Sequence, residues 1–206
     1  MSAIQLNFIN KSNDQNNSEI VLFQKNMATS FDEIAIAWKV IKNCGQGDYH
    51  PFTYSSVLQV AMSDSYGNYT PHLSAMPGQA FEMVLAPSGD LIQYSGSAAS
   101  PKSIELKNSL QRGAVSGYVY RDGSVIAMKS NIAPGQKAVF EFTPTIFIGV
   151  ASQITQGQIM NSAIISNINT EISLLGLASA DIVMTGGGSG ANATAFVFSL
   201  ENVKMA

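Results

Sequence analysis

A chain of 206 residues with 46% hydrophobic but only 12% charged residues can bury about 70% of the surface its unfolded form exposes. It carries about half the charge of an ordinary soluble domain. Its eleven basic residues are scattered from Lys11 to Lys204 against fourteen acids, for a net charge of −3; the lack of a basic cluster to neutralise phosphates disfavours nucleic-acid binding and polybasic membrane attachment.

The first predicted strand, Ile4 to Ile9, alternates apolar and polar residues, and Ile20 to Phe23 is a short apolar run. Residues 1–10 lack the basic start and apolar stretch of a signal peptide. No stretch reaches the ~18 apolar residues of a transmembrane segment. A cytoplasmic location is expected, leaderless export aside. Ile34 to Ile41 reads as a strand containing Trp38, the single tryptophan. Burial on both faces of that strand would make Trp38 core; burial on one face would make it an exposed ligand contact.

Cys44-Gly-Gln-Gly-Asp48-Tyr49-His50-Pro51-Phe52 follows. A thiol, a carboxylate and an imidazole within seven residues are the types a nucleophile–base–orienter set needs. No family signature surrounds them, so a loop with Cys44 as a small, partly buried hydrophobe is favoured. As the only cysteine, Cys44 also precludes an intrachain disulfide. Asp48, Tyr49 and His50 are kept as candidate ligand-binding residues. His50 and His72 are the only histidines, without the ligand spacing of a zinc site; no metal and no cofactor are expected.

After the strand Val57 to Met62 comes Ser63-Asp64-Ser65-Tyr66-Gly67-Asn68-Tyr69-Thr70. It lacks the alternating ligands and terminal Glu of an EF-hand and reads as an Asx-type hairpin loop. Asp64, Tyr66, Asn68 and Tyr69 are nevertheless the mixture of flat aromatic surface and hydrogen-bonding groups used by sugar- and protein-binding loops.

Further strands are predicted at 80–85, 103–107, 114–120, 124–129, 138–143, 146–151, 172–175, 182–184 and 194–200. Asp122-Gly123 marks a type I′ hairpin that puts Tyr118 and Tyr120 on one strand face. Pro144 marks an edge, a corner or a switch between sheets. A short helix fits within 153–177. Gly186–Gly190 is neither a Walker loop nor a dinucleotide fingerprint. No repeat, linker or domain break is visible.

The expected fold is all-β, an antiparallel, jelly-roll-like sandwich forming one domain over 1–206. The expected function is non-catalytic: self-assembly as a homo-oligomer, suggested by the weakly charged surface, or binding of a carbohydrate or protein by the polar-aromatic loops. An enzyme on the same scaffold and a pore-forming β-protein are the alternatives.

Overall fold

The computed structural model describes residues 3–14, 18–28, 35–168 and 170–206, with the side chains of Ser162, Ala163 and Asn167 left aside. Ile34, at the start of one predicted strand, lies outside the described residues. The strands are β1 Ile4–Asn10, β2 Glu19–Phe23, β3 Ala35–Ile36, β4 Lys39–Ile41, β5 Tyr49–Tyr54, β6 Leu58–Ser63, β7 Leu73–Ala75, β8 Gln79–Ala86 and β9 Gly89–Ser97. They continue as β10 Ser103–Asn108, β11 Val115–Arg121, β12 Ser124–Ile132, β13 Lys137–Glu141, β14 Thr145–Ala151, β15 Ile159–Met160, β16 Thr170–Ser173, β17 Leu177–Gly187 and β18 Thr194–Met205. Among the described residues a short α-helix, α1 Ser162–Asn167, falls within 153–177 as predicted.

Within the stretch read as one domain, the described residues cluster into two compact units. The first takes its residues from within Met1–Gln24, Ala35–Ser56 and Pro144–Ala206, the second from within Lys25–Ile34 and Val57–Thr143. Each is a β-sandwich. The first holds the sheets β18-β17-β1-β5 and β16-β14-β2-β4, with β15-β3 as a small third sheet; the second holds β13-β10-β8-β9 and β12-β11-β6-β7. Most ladders are antiparallel as expected, but β1 runs parallel to β17 and β10 parallel to β8, which an all-antiparallel jelly roll does not contain. Pro144 stands between β13 and β14, in different sheets and at the division between the units. It is a switch between sheets.

Facing apolar strands make each core. In the second unit β11 lies so close to β10 that a Cβ on Gly117 would fall 2.8 Å from Leu106 Cδ1. In the first unit, the sheet holding β2 and β14 is buried on both faces. Ile20, Leu22, Ile146 and Ile148 point one way, and Val21, Phe23 and Phe147 the other. The second set forms a separate core with Ala35, Ala37, Ile154, Met160 and Ile168. This explains why Ile20 to Phe23 is continuously apolar. The helix end sits directly on β14, where a Cβ on Gly149 would lie 2.6 Å from Ile168 Cα.

The strand predicted over 34–41 is broken. Ala37 and Trp38 leave the extended run, β3 pairs with β15, and β4 pairs with β2. Asp122 and Gly123 have φ of 49° and 76°, and Arg121 pairs with Ser124, as a type I′ hairpin requires. The last strand is tied down by β17.

The two units have the same plan. By sheet position and ladder direction, β1 corresponds to β10, β2 to β11, β4 to β12 and β5 to β13. Likewise β14 corresponds to β6, β16 to β7, β17 to β8 and β18 to β9. Details repeat as well. Asn10 N donates to Asp48 O and Gly47 N to Asn10 O; Asn108 N donates to Gln136 O and Gly135 N to Asn108 O. Lys11 N reaches Met184 O as Ser109 N reaches Met83 O, and Ala206 N reaches Gly176 O as Ala98 N reaches Gly78 O. Asn43 and Asn131 both adopt positive φ, 55° and 57°. The chain is therefore an internal duplication of β1–β9 and β10–β18, a repeat that the sequence reading missed. Each unit combines strands from both copies.

Candidate ligand-binding surface

Duplication makes the differences between the units informative. In the first unit the connector from β2 to β4 carries β3, and the connector from β14 to β16 carries β15 and α1. β3 pairs with β15, and these pieces cover the outer face of the sheet, over Val21, Phe23 and Phe147. In the second unit the equivalent connectors are the two-residue turn Asp122-Gly123 and the short loop 64–72. No comparable cover forms there among the described residues. The register places Tyr118 and Tyr120 where the first unit has Val21 and Phe23. A face that is hydrocarbon under cover in one unit is tyrosine in the other.

Those tyrosines lead an aromatic row. The rings of Tyr118 and Tyr120 lie 6.3 Å apart on one face, as the hairpin predicts. Tyr69 packs on Tyr118 at 5.3 Å, and His72 stacks on Tyr120 at 4.2 Å. Tyr69 and His72 are exposed, Tyr118 is half-buried and Tyr120 is buried beneath. Tyr69 OH donates to Tyr118 OH at 3.3 Å, and Ser63 Oγ lies 3.4 Å from Tyr118 OH.

Beyond Tyr69 the row runs into a cleft of about 420 Å³ whose lining includes Asp64, Asn68, Tyr69, Met83, Ser88 and Asp90. The predicted Asx-type loop forms one wall. Asp64 Oδ1 accepts from Tyr66 N and Asn68 N, both at 2.9 Å, and Oδ2 accepts from Asn68 Nδ2 at 2.7 Å. The hydrogen bond from the Asn68 side chain, followed by those from backbone N–H groups, holds the Asp64 carboxyl below its usual range. Its contribution to loop stability is accordingly complete above the ordinary carboxylate pKa and is lost as pH falls through the lowered one. Tyr66 is 90% exposed at the tip.

The three tyrosines of the row are shifted in opposite directions. The hydrogen bond to Tyr118, then burial, pushes the Tyr69 hydroxyl up to about 12. For Tyr118, burial raises the pKa, but hydrogen bonds from Ser63, Tyr69 and Ser116 outweigh it and leave the group below its ordinary value. Burial raises Tyr120. Of these three, Tyr118 should therefore lose its proton first as pH rises. Tyr69→Phe should raise the Tyr118 pKa by removing a donor to its phenolate, which an absorbance titration at alkaline pH would read against the parent protein.

The other predicted residues fall elsewhere. Trp38 is 1% exposed, with Phe52 and Tyr54 edge-on at 6.1 and 5.9 Å. It takes the core position that two-sided burial implies, which corrects its reading as a surface contact. Asp48, Tyr49 and His50 belong to the first unit, and the aromatic row to the second. Asp48 closes its own turn, with Oδ2 accepting from Gly45 N at 2.9 Å. Tyr49 is exposed at the start of β5, and His50 pairs across to Phe8. Burial and then the Asp48 charge push the Cys44 thiol pKa up, the reverse of what a thiolate nucleophile needs. Among the described residues, no three His, Cys, Asp or Glu converge to hold a metal ion. The described helix is also too short to cross a membrane.

Sequence reading finds Asp64, Tyr66, Asn68 and Tyr69 but not His72, Tyr118, Tyr120 or Asp90 as their partners. The pairing of Tyr118 with Tyr120 was the available signal. Comparison of the chain with protein families, curated proteins and solved structures returns no match.

Proposed function

We propose that the chain is a non-catalytic binding protein that holds carbohydrate on the aromatic row and adjoining cleft of its second unit. The observation that carries this reading is the tyrosine face, bordered by the exposed Tyr69 and His72, which among the described residues lacks a cover comparable to the β3, β15 and α1 that close the equivalent apolar face of the other unit. Covering a sheet face with apolar side chains is the ordinary way to bury it. Tyrosine instead offers a flat apolar ring with a polar end, suited to a ligand that is itself part apolar face and part hydroxyl. Neighbouring amide, hydroxyl and carboxylate groups supply orientation.

Calorimetric titration with soluble neutral oligosaccharides tests it. Tyr69→Ala should weaken binding about tenfold, the upper end of what one aromatic contact supplies. Leu175→Ala, an exposed apolar change in the first unit, should leave binding unchanged. Equal loss in both variants, or no oligosaccharide binding by the parent, would overturn the reading and return attention to a protein ligand.

Self-assembly is a second reading, favoured by β18. This twelve-residue strand forms one edge of its sheet, has no strand partner on its outer side among the described residues, and exposes Val197, Val203 and Met205. Such an edge is a template for a further strand. Light scattering over a concentration series separates a monomer from an assembly.

A further inference from the structure

We infer that residues 152–168 form a lid over the outer sheet face of the first unit, clasped shut by the Glu19 carboxylate and able to open as one piece while the sandwich beneath stays folded. The segment leaves β14 after Ala151 and returns to the sheet before β16, carrying β15 and α1. It brings Ile154, Met160 and Ile168 into one core with Val21, Phe23 and Phe147. Phe23 and Phe147 stack beneath it with ring centroids 5.2 Å apart.

Two observations separate the lid from the sandwich. First, the main ladders do not pass through it. β14 pairs with β2 over Phe147–Ala151 and with β16 over Thr145–Ile148, and both pairings are complete without the lid. Its own strand, β15, pairs over two residues with β3. Its helix is six residues long, too short to persist without packing. Second, the duplicate unit builds the corresponding sheet, β12-β11-β6-β7, with the short loop 64–72 in the lid's place. The sheet plan therefore does not need a lid in order to form.

The clasp lies where the segment departs. Glu19 faces Ala151 across the β2–β14 ladder. Its Oε2 accepts from Ile154 N at 2.7 Å, and its Oε1 pairs with Lys42 Nζ at 2.9 Å. The hydrogen bonds from Lys42 and from Ile154 N outweigh burial and hold the carboxyl below its usual range. One carboxylate thus joins β2, the residue that follows β4 and the first turn of the lid. A hydrogen bond to a charged acceptor is about twice as strong as a neutral one. At the far end, Ile168 Cα fits against Gly149, where a Cβ would collide with it. Between these two grips the lid is held largely by apolar contact. Opening would bare Phe23 and Phe147 on the face equivalent to the tyrosine row of the second unit.

Hydrogen exchange on the full-length protein at neutral pH tests this, with Glu19→Ala removing the clasp and Gly149→Ala placing a wedge beneath Ile168. In the parent, the amides of Gly157, Ile165 and Ile168, all hydrogen-bonded in the lid, should exchange faster than those of the β2–β14 ladder. Glu19→Ala should speed the lid amides by at least about tenfold, the loss of one charge-assisted hydrogen bond, and leave the ladder as it was. Gly149→Ala should act in the same direction with the carboxylate in place. Lys42→Met removes an ion pair from a half-exposed lysine but keeps the bond to Ile154, so it should change lid exchange by less than about fivefold. Lid and ladder amides exchanging at one common rate, in the parent or in either variant, would overturn separate opening and leave Glu19 an ordinary stabilising residue. Lid exchange unchanged by Glu19→Ala would overturn the clasp. Should Glu19→Ala fail to fold, Glu19→Gln, which keeps a neutral acceptor for Ile154 N, takes its place with a smaller increase expected and the same overturning result.

Discussion

Trp38→Ala is expected to destabilise the protein by about 3–5 kcal/mol, as deletion of a large buried aromatic does. The indole is 1% exposed, with Phe52 and Tyr54 edge-on to it at 71° and 89°. Truncation therefore opens a cavity and removes two favourable ring pairs together. The backbone has little freedom to collapse into the gap, because Trp38 N donates to Leu22 O at 2.9 Å and Lys39 begins β4. Lys39 Nζ also lies over the Trp38 and Phe52 rings, at 5.8 and 5.4 Å, and would lose one of them. Urea unfolding followed by far-ultraviolet circular dichroism would measure the loss. A cost below 1 kcal/mol would contradict the core position of Trp38.

The second large effect belongs to two asparagines, one in each unit. Asn108 is fully buried; its Nδ2 donates to Ile132 O at 2.8 Å and Gly113 O at 2.9 Å, and its Oδ1 accepts from Leu110 N at 3.0 Å. Asn10 is 1% exposed; its Nδ2 donates to Cys44 O at 2.7 Å, and its Oδ1 accepts from Ser12 N at 2.9 Å and Ser12 Oγ at 2.6 Å. In both, the side chain amide closes a loop at the end of an equivalent strand. Alanine would strand several polar groups away from water, each costing about 1–3 kcal/mol when unpaired. Local relaxation and water entry reduce the sum, so Asn108→Ala and Asn10→Ala are each expected to cost about 2–5 kcal/mol. Chemical denaturation of both variants is the check. Near-neutral effects would mean that the clamps are replaceable by solvent.

Period-two alternation and turn chemistry made the all-β class legible. The hairpin at Asp122-Gly123, the tied-down last strand and the sheet switch at Pro144 were local signals with local causes. β5 was not legible because Pro51 and His50 interrupt its apolar pattern, which its place at a sheet edge tolerates. β9 was missed because Gln93, Tyr94, Ser95 and Gly96 resemble loop composition; they are nevertheless held by pairing to β8. The duplication was hidden because a sheet needs apolar and polar alternation at corresponding positions, not the same residues. Only scattered identities persist, such as Asn43 with Asn131, Gly47 with Gly135 and Phe52 with Phe140. Connectors of unequal length shift the spacing between them. The loop half of the candidate surface was legible because Asp64 to Tyr69 is contiguous. The strand half was not, since it depends on β11 lying beside β6 and on a cover found in one unit alone.

The sharing of both copies by each sandwich also sets an order for synthesis. When β9 leaves the ribosome, an entire copy has been made, yet neither sandwich has its full set of strands. The second closes once β13 has emerged. The first must wait for β17 and β18, since Asn7 near the start of the chain pairs with Asp181. Until then β1, β2, β4 and β5 are half of a sandwich with apolar strands lacking their partners, the kind of surface that aggregates during folding. Because the copies share one plan, the missing half could also come from another nascent chain. The same exchange that joins the copies within one molecule thus creates a route to exchange between molecules.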